Sequence, residues 1–174
     1  ADSAWLPGAA AILGVNDSRW RSDAVVMNPA SGAVAVALTF HGSHPAGGGP
    51  PDVRSVALAG GESRFEGNIL DGVFGFAAPA VGSLESEAVT GTPPLVWMRT
   101  FTEELDDLGA TVTYGQAIQP RSSQTMVSPA QEGRIVGFSH DQAARANLIL
   151  QNTRVGTGGG LLPVWPDCNS QGAA

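Results

Sequence analysis

The residues best suited to chemistry in this chain are a few histidines, some closely spaced carboxylates and one aromatic strand. His41-x-x-His44 offers two imidazoles in a glycine-rich stretch, with no Cys nearby and no carboxylate before Asp52. Protein metal centres use three or four ligands on a preorganised shell, so the pair reads as solvated loop histidines and no metal is assigned. Ser139-His140-Asp141 has the composition of a hydrolytic triad. A triad, however, is a convergence in space, and neighbours along a strand or turn point apart. Neither GxSxG nor HExxH occurs, so no catalytic residue is assigned and the chain is expected not to be an enzyme.

The carboxylates point the same way. Glu85 and Glu87 fall on one face of a strand, roughly 7 Å apart at the pleat repeat, a separation that glycoside hydrolysis could use. Ser83, Glu85 and Glu87 nevertheless alternate with Gly82, Leu84, Ser86 and Ala88, the pattern of a solvated face opposite a buried one. Glu103-Glu104 and Asp106-Asp107 form an acidic turn that could offer oxygens to calcium, but it lacks the D-x-[DN]-x-[DN]-G loop. No cofactor is assigned, and a hydrolase fragment stays as the enzymatic alternative.

The aromatic strand is more informative. Over Leu95 to Thr102, Trp97, Arg99 and Phe101 share one face while Val96, Met98 and Thr100 share the other. The larger residues are read as core, which obliges Arg99 to find a partner, with Glu85 or Glu87 as cross-strand candidates. In the opposite phase Val96 and Met98 go inside, and Trp97 and Arg99 stand on an exposed sheet as a carbohydrate or peptide platform. Tyr114 and Gln116, on one face of the next strand, would flank that platform. Trp97, Arg99, Tyr114 and Gln116 are therefore the candidate ligand-binding residues.

The elements that must position these residues read as short strands. Arg21-Ser-Asp-Ala-Val-Val-Met-Asn28-Pro29 returns as Arg145-Ala-Asn-Leu-Ile-Leu-Gln-Asn152-Thr153, with residue pairs 21/145, 23/147 and 28/152 at one constant offset. Each copy is an Arg, a short polar residue, four residues rich in Val, Ile and Leu, and an Asn able to leave the extended conformation. Asp17 and Asp141 lengthen the echo. An extended lead-in with a strand near Ala11 to Val15 precedes the first copy. Asn28-Pro29 ends it, because the residue before proline avoids the helical region.

Val34, Val36, Leu38 and Phe40 then alternate with small residues as a strand with one bulky face, expected to hairpin with Asp23 to Asn28 across Ala30-Ser31-Gly32. His41 to Pro51 is a glycine-rich loop. Strand patterns follow at Val53 to Leu58, Ser63 to Glu66 after a Gly60-Gly61 turn, Val81 to Val89, Leu95 to Thr102, Thr111 to Ile118, Thr125 to Ser128, Gly133 to Phe138 and Asn147 to Asn152. Asn68 sits as an N-cap ahead of a single helical turn. About ten short strands without 3.6-residue periodicity predict an all-β antiparallel sandwich of immunoglobulin-like or Greek-key type. Residues 1–155 form the domain, closed by the echo strand. Residues 156–174 are a glycine-rich linker, a last strand at Leu161 to Trp165 and a flexible tail.

Composition narrows the setting. Nine basic residues, all Arg, stand against sixteen acidic ones, a net charge of −7 that makes nucleic acid a poor partner. The apolar runs fall short of the ~20 residues of a membrane-spanning helix, so no membrane insertion is expected. Cys168 stands alone, so there is no intrachain disulfide framework. A first residue of Ala is what a processed mature segment would show, which leaves export open. A chain of 174 residues can bury roughly 70% of its unfolded surface without such staples.

WRSDAVVMNP, VGSLESEAV, PLVWMRTFT, TYGQAIQP and RANLILQN, in this order, resemble an uncharacterised family of β-sandwich domains from secreted and cell-surface proteins of bacteria. The likeness runs from about Trp20 to Asn152 and departs at Ala144, which stands where the first copy has Trp20. It implies fold and compartment: extracellular or cell surface, with the periplasm as the neighbouring choice. The expected function is a non-enzymatic structural or adhesive module that binds other protein domains or a cell-surface glycan, or pairs as a homodimer through edge strands. A carbohydrate-binding module using an exposed Trp and Tyr face is the alternative.

Overall fold

The computed structural model describes residues 3–14, 17–43 and 51–122. They contain nine strands and one helical turn: β1 (Ser3–Leu13), β2 (Arg19–Met27), β3 (Val34–Ser43), β4 (Asp52–Leu58), β5 (Ser63–Glu66), α1 (Ile69–Gly72), β6 (Ala80–Ala88), β7 (Leu95–Leu105), β8 (Thr111–Ile118) and β9 (Arg121–Ser122). Every strand pair is antiparallel, in the order β4-β3-β6-β1-β2-β7-β8, with β5 added to β2 and β9 to β1. The fold is all-β, as the alternating pattern predicts.

The sheet is continuous but folds over on itself at β1. One edge of β1 pairs with β6 from Ser3 to Ala11. The other edge meets β9 at Ala4 and Trp5, and β2 only at Ala11 to Leu13. Between these contacts the sheet parts, and β4-β3-β6-β1 lies over β5-β2-β7-β8 around one apolar cluster. Leu6, Val36, Leu38, Phe40 and Leu84 line one side of that cluster; Ala24, Val26, Val96, Met98 and Ile118 line the other. The bulky face predicted for β3 is thus the buried one. Ile69 and Leu70 of α1 enter the same core, and Phe40, Phe74 and Phe76 cluster with centroids 5.3 to 6.0 Å apart, Phe74 and Phe76 stacked and Phe40 tilted against both.

Where β1 leaves its second partner, a bulge between Pro7 and Ala9 and a left-handed Gly8 (φ 84°) would strand backbone groups inside. A buried polar relay meets them. The Ala10 N–H donates to Ser22 Oγ (2.9 Å), Ser22 Oγ contacts Thr100 Oγ1 (2.7 Å), and Thr100 Oγ1 donates to the Gly8 carbonyl (2.8 Å). Ser22 and Thr100 are directly opposed on β2 and β7. This places two hydroxyls on the inner face to join the two layers.

Three local expectations need correction. β2 and β3 are not a hairpin: β3 pairs with β4 and β6, and β2 with β1, β5 and β7. After Met27 the chain crosses between layers, and Asn28 fixes the crossing. Its side-chain amide donates to the carbonyls of Gly32 (2.7 Å) and Ala59 (2.9 Å), while its Oδ1 accepts from the Ala30 N–H (3.0 Å). Asn68 precedes the helical turn but does not cap it. It is left-handed (φ 46°), its side chain makes no cap bond, and its Oδ1 is buried without a hydrogen-bond partner. The lead-in is itself a strand of eleven residues, because β6 pairs along nearly all of it. The expected strands at 125–128, 133–138, 147–152 and 161–165, together with His44, Ser139-His140-Asp141 and Cys168, lie outside the described residues.

Candidate binding face

The outward face of β5, β2 and β7 is built in rows fixed by register. Val25 is opposite both Phe65 of β5 and Trp97 of β7, giving the row Phe65–Val25–Trp97. Met27 joins Ser63 and Leu95 in the row to one side; Asp23 opposes Arg99 on the other. Since alternate residues point to opposite faces, burying Val26, Val96 and Met98 leaves these rows outside. Phe65 is 61% exposed and Trp97 47%. The expectation that Trp97 is core is therefore overturned, because it is the smaller Val96 and Met98 that meet the opposing layer.

Arg99 is held firmly. Its Nε and Nη2 both donate to Asp23 Oδ2, at 3.0 and 2.8 Å, while Asp23 Oδ1 accepts the Asn68 N–H at 2.8 Å. The Asp23 side chain is only 7% exposed. A buried carboxylate with three charge-assisted bonds is a strong fixture, so the expected partners of Arg99, Glu85 and Glu87, are replaced by Asp23. The guanidinium also lies over Phe101, 4.2 Å from the ring centroid, and Arg21 covers the same ring at 4.7 Å while pairing with Glu103 at 2.7 Å. Phe101 is thereby buried on the outward face, roofed by two arginines rather than by the core.

Tyr114 and Gln116 do not join this surface. Thr102 opposes Tyr114 and Thr100 opposes Gln116, so both point with the inner-face residues of β7, and Gly115 is what faces Phe101. Tyr114 is 54% exposed, on the opposite side of the sheet from Trp97. Of the four candidates, the register brings Trp97 and Arg99 together and separates Tyr114 and Gln116 from them. Phe65 takes the place expected of Tyr114. Its sequence signal is slight: a single apolar residue in Ser63–Glu66, flanked by Arg64 and Glu66.

The carboxylates of β6 lie on the other layer. Glu85 shares an outward row with Trp5 and Thr39, and its Oε2 is 2.9 Å from His41 Nε2. The Trp5 and His41 rings are 4.7 Å apart. His41 thus belongs to a strand and is hydrogen-bonded to Glu85. In the acidic turn, Asp106 Oδ1 accepts the N–H groups of Leu108 and Ala110, so that carboxylate shapes the β7–β8 connection. Among the described residues there is no group of three side chains that could hold a metal ion, and no helix long and apolar enough to cross a membrane.

No protein-family model matches the chain, and no curated protein matches it. Among solved structures it is similar to Thermotoga maritima 1070, with a TM-score of 0.46 and 16% identity over 68% of this chain and 92% of that one.

Proposed function

We propose that this chain is a non-enzymatic interaction module of an exported bacterial protein, structural or adhesive in role, and that it meets its partner through the outward face of β5, β2 and β7. One observation carries the reading: Phe65, Val25, Trp97, Met27 and Leu95 are adjacent on that face, with both aromatic rings open to solvent. Scattered exposed apolar residues are ordinary, whereas contiguous ones mark contact surfaces. The face is also braced at one end, since Asp23 binds Arg99 beside it and ties β2 to the segment entering α1. The exported setting rests on the resemblance of WRSDAVVMNP, PLVWMRTFT and TYGQAIQP to secreted and surface domains.

The test is retention of the fluorescently labelled chain on a panel of intact bacterial cells and their extracellular matrices, compared with Phe65→Ser/Trp97→Ser. Retention by the parent and its loss in the double variant, with the fold checked by circular dichroism, is the expected result. Equal retention of both, or none by either, would overturn the proposal.

A further inference from the structure

We infer that the occupant of this face is an uncharged, extended polysaccharide lying across β5, β2 and β7, with sugar rings stacked on Phe65 and Trp97. The inference rests on the reading of that face as a contact surface and names the class of ligand it takes. Spacing is the first argument. Phe65 and Trp97 flank Val25 in one cross-strand row, so their backbones are two interstrand steps, about 9.5 Å, apart. Alternate residues of an extended chain of six-membered sugars recur at that order of distance. Each presents a flat face of C–H bonds that suits an aromatic ring.

Size separates this ligand from a folded protein. Two aromatic side chains contribute at most roughly 150–250 Å² each, well below the roughly 800 Å² per partner of a stable protein interface. A slender chain can use two rings and a few hydrogen bonds.

Charge and polarity decide the remaining chemistry. The chain carries a net charge of −7, which repels polyanionic glycans. Two of the arginines on the outward face of β2 and β7 are already matched, Arg99 by Asp23 and Arg21 by Glu103. Arg99 uses Nε and Nη2 for Asp23, so Nη1 is outside that pair and its N–H groups can meet sugar hydroxyls one row from the aromatics. Recognition is then stacking from two rings and hydrogen bonding from one fixed guanidinium.

The experiment is affinity electrophoresis of the whole chain in gels containing soluble mixed-linkage glucan or glucomannan, with sedimentation on insoluble cellulose and chitin. A column bearing a polyproline peptide, whose three-residue turn has a similar repeat of about 9.3 Å, runs in parallel. Retardation by at least one neutral glycan is expected. Phe65→Ala and Trp97→Ala should each weaken it roughly tenfold. Tyr114→Ala, on the other side of the sheet, should leave it unchanged. Melting curves matching the parent establish that the variants fold. Unretarded migration through every glycan, full retardation of a folded Phe65→Ala/Trp97→Ala variant, or tighter retention on polyproline would each overturn the glycan assignment. If cells still retain the chain through Phe65 and Trp97 while the glycans do not, the contact-surface reading survives and the ligand class falls. If cell retention also fails, both fall.

Discussion

Trp5 and Trp97 stand on outward rows of the two layers, one sealed and the other open. Trp5 is 4% exposed, against the His41 ring that is hydrogen-bonded to Glu85, and on the same face as the fully buried Ser83. Trp97 is 47% exposed, in a row with the still more exposed Phe65. The two layers share a core and an alternating pattern, so the phase of a strand says which residues point outward but not which outward faces remain open. Only where a face stays open does an aromatic residue become available to a ligand.

The direct way to break this comparison is to truncate both tryptophans. Trp5→Ala should cost about 3–5 kcal/mol, as for other buried aromatics. Trp97→Ala should stay within about 1 kcal/mol, as for surface changes away from packed features. Urea unfolding of the two variants decides it, and equal losses would mean the faces are energetically alike. Next in size is Asp23→Ala, expected to cost about 2–3 kcal/mol because it strips Arg99 of its carboxylate and the Asn68 N–H of its acceptor. Glu103→Gln, at a half-exposed pair with Arg21, should cost no more than about 1 kcal/mol. If the two variants unfold at the same urea concentration, the open face is not anchored at Asp23.

The same asymmetry explains what could be read from sequence. The β3 alternation revealed its own buried face, because Val34, Val36, Leu38 and Phe40 differ in size from the Ala and Thr between them. The span of β8 was equally legible, Thr111–Ile118 being bounded by turn residues on both sides. β7 was not, since both its faces are apolar; the choice between Val96/Met98 and Trp97/Phe101 depends on the opposing layer, which no local pattern encodes. Phe101 shows the difficulty, being buried by Arg21 from β2 and by Arg99, two charged residues that any polarity count places in water. The absence of a β2–β3 pairing is hidden from the sequence for a related reason. Asn28 looks like a hairpin turn residue, yet its amide spans to Ala59 and sends the chain across to the other layer. Strand adjacency alone groups Tyr114 and Gln116 with Trp97, and only the β7–β8 register separates them.

Gly115 offers a sharper test of that register. It opposes Phe101, and a Cβ there would fall 2.5 Å from Phe101 Cβ and 2.6 Å from its Cα. An aromatic residue across from a sheet glycine is a recognised way to hold an edge position. Gly115→Ala must push the Phe101 backbone or shift β8, at about 1–2 kcal/mol, the ordinary range for overpacking. An unchanged unfolding midpoint would place β8 in another register and put Tyr114 back among the candidates for the open face.

The smallest effect concerns β5, the strand that carries Phe65. Glu62, just before it, accepts the Ala59 N–H at 2.7 Å and Arg64 Nη2 at 3.0 Å, and Arg64 also donates to the Ala57 carbonyl at 2.9 Å. The Ala59 backbone hydrogen bond foremost, then Arg64, holds the Glu62 carboxyl below the ordinary glutamate range. A carboxyl whose pKa is lower folded than unfolded stabilises the fold above its unfolded pKa, and loses that contribution as pH falls through its folded value. Acid should therefore loosen the β5 side of the open face. Glu62→Gln, which cannot titrate, should show a shallower fall of the urea midpoint over that acid window than the parent, with the two curves running parallel above it. Parallel curves throughout would mean that β5 is held by its ladder to Ala24–Met27 alone, and that Phe65 owes its position to β2 rather than to the Glu62–Arg64 clamp.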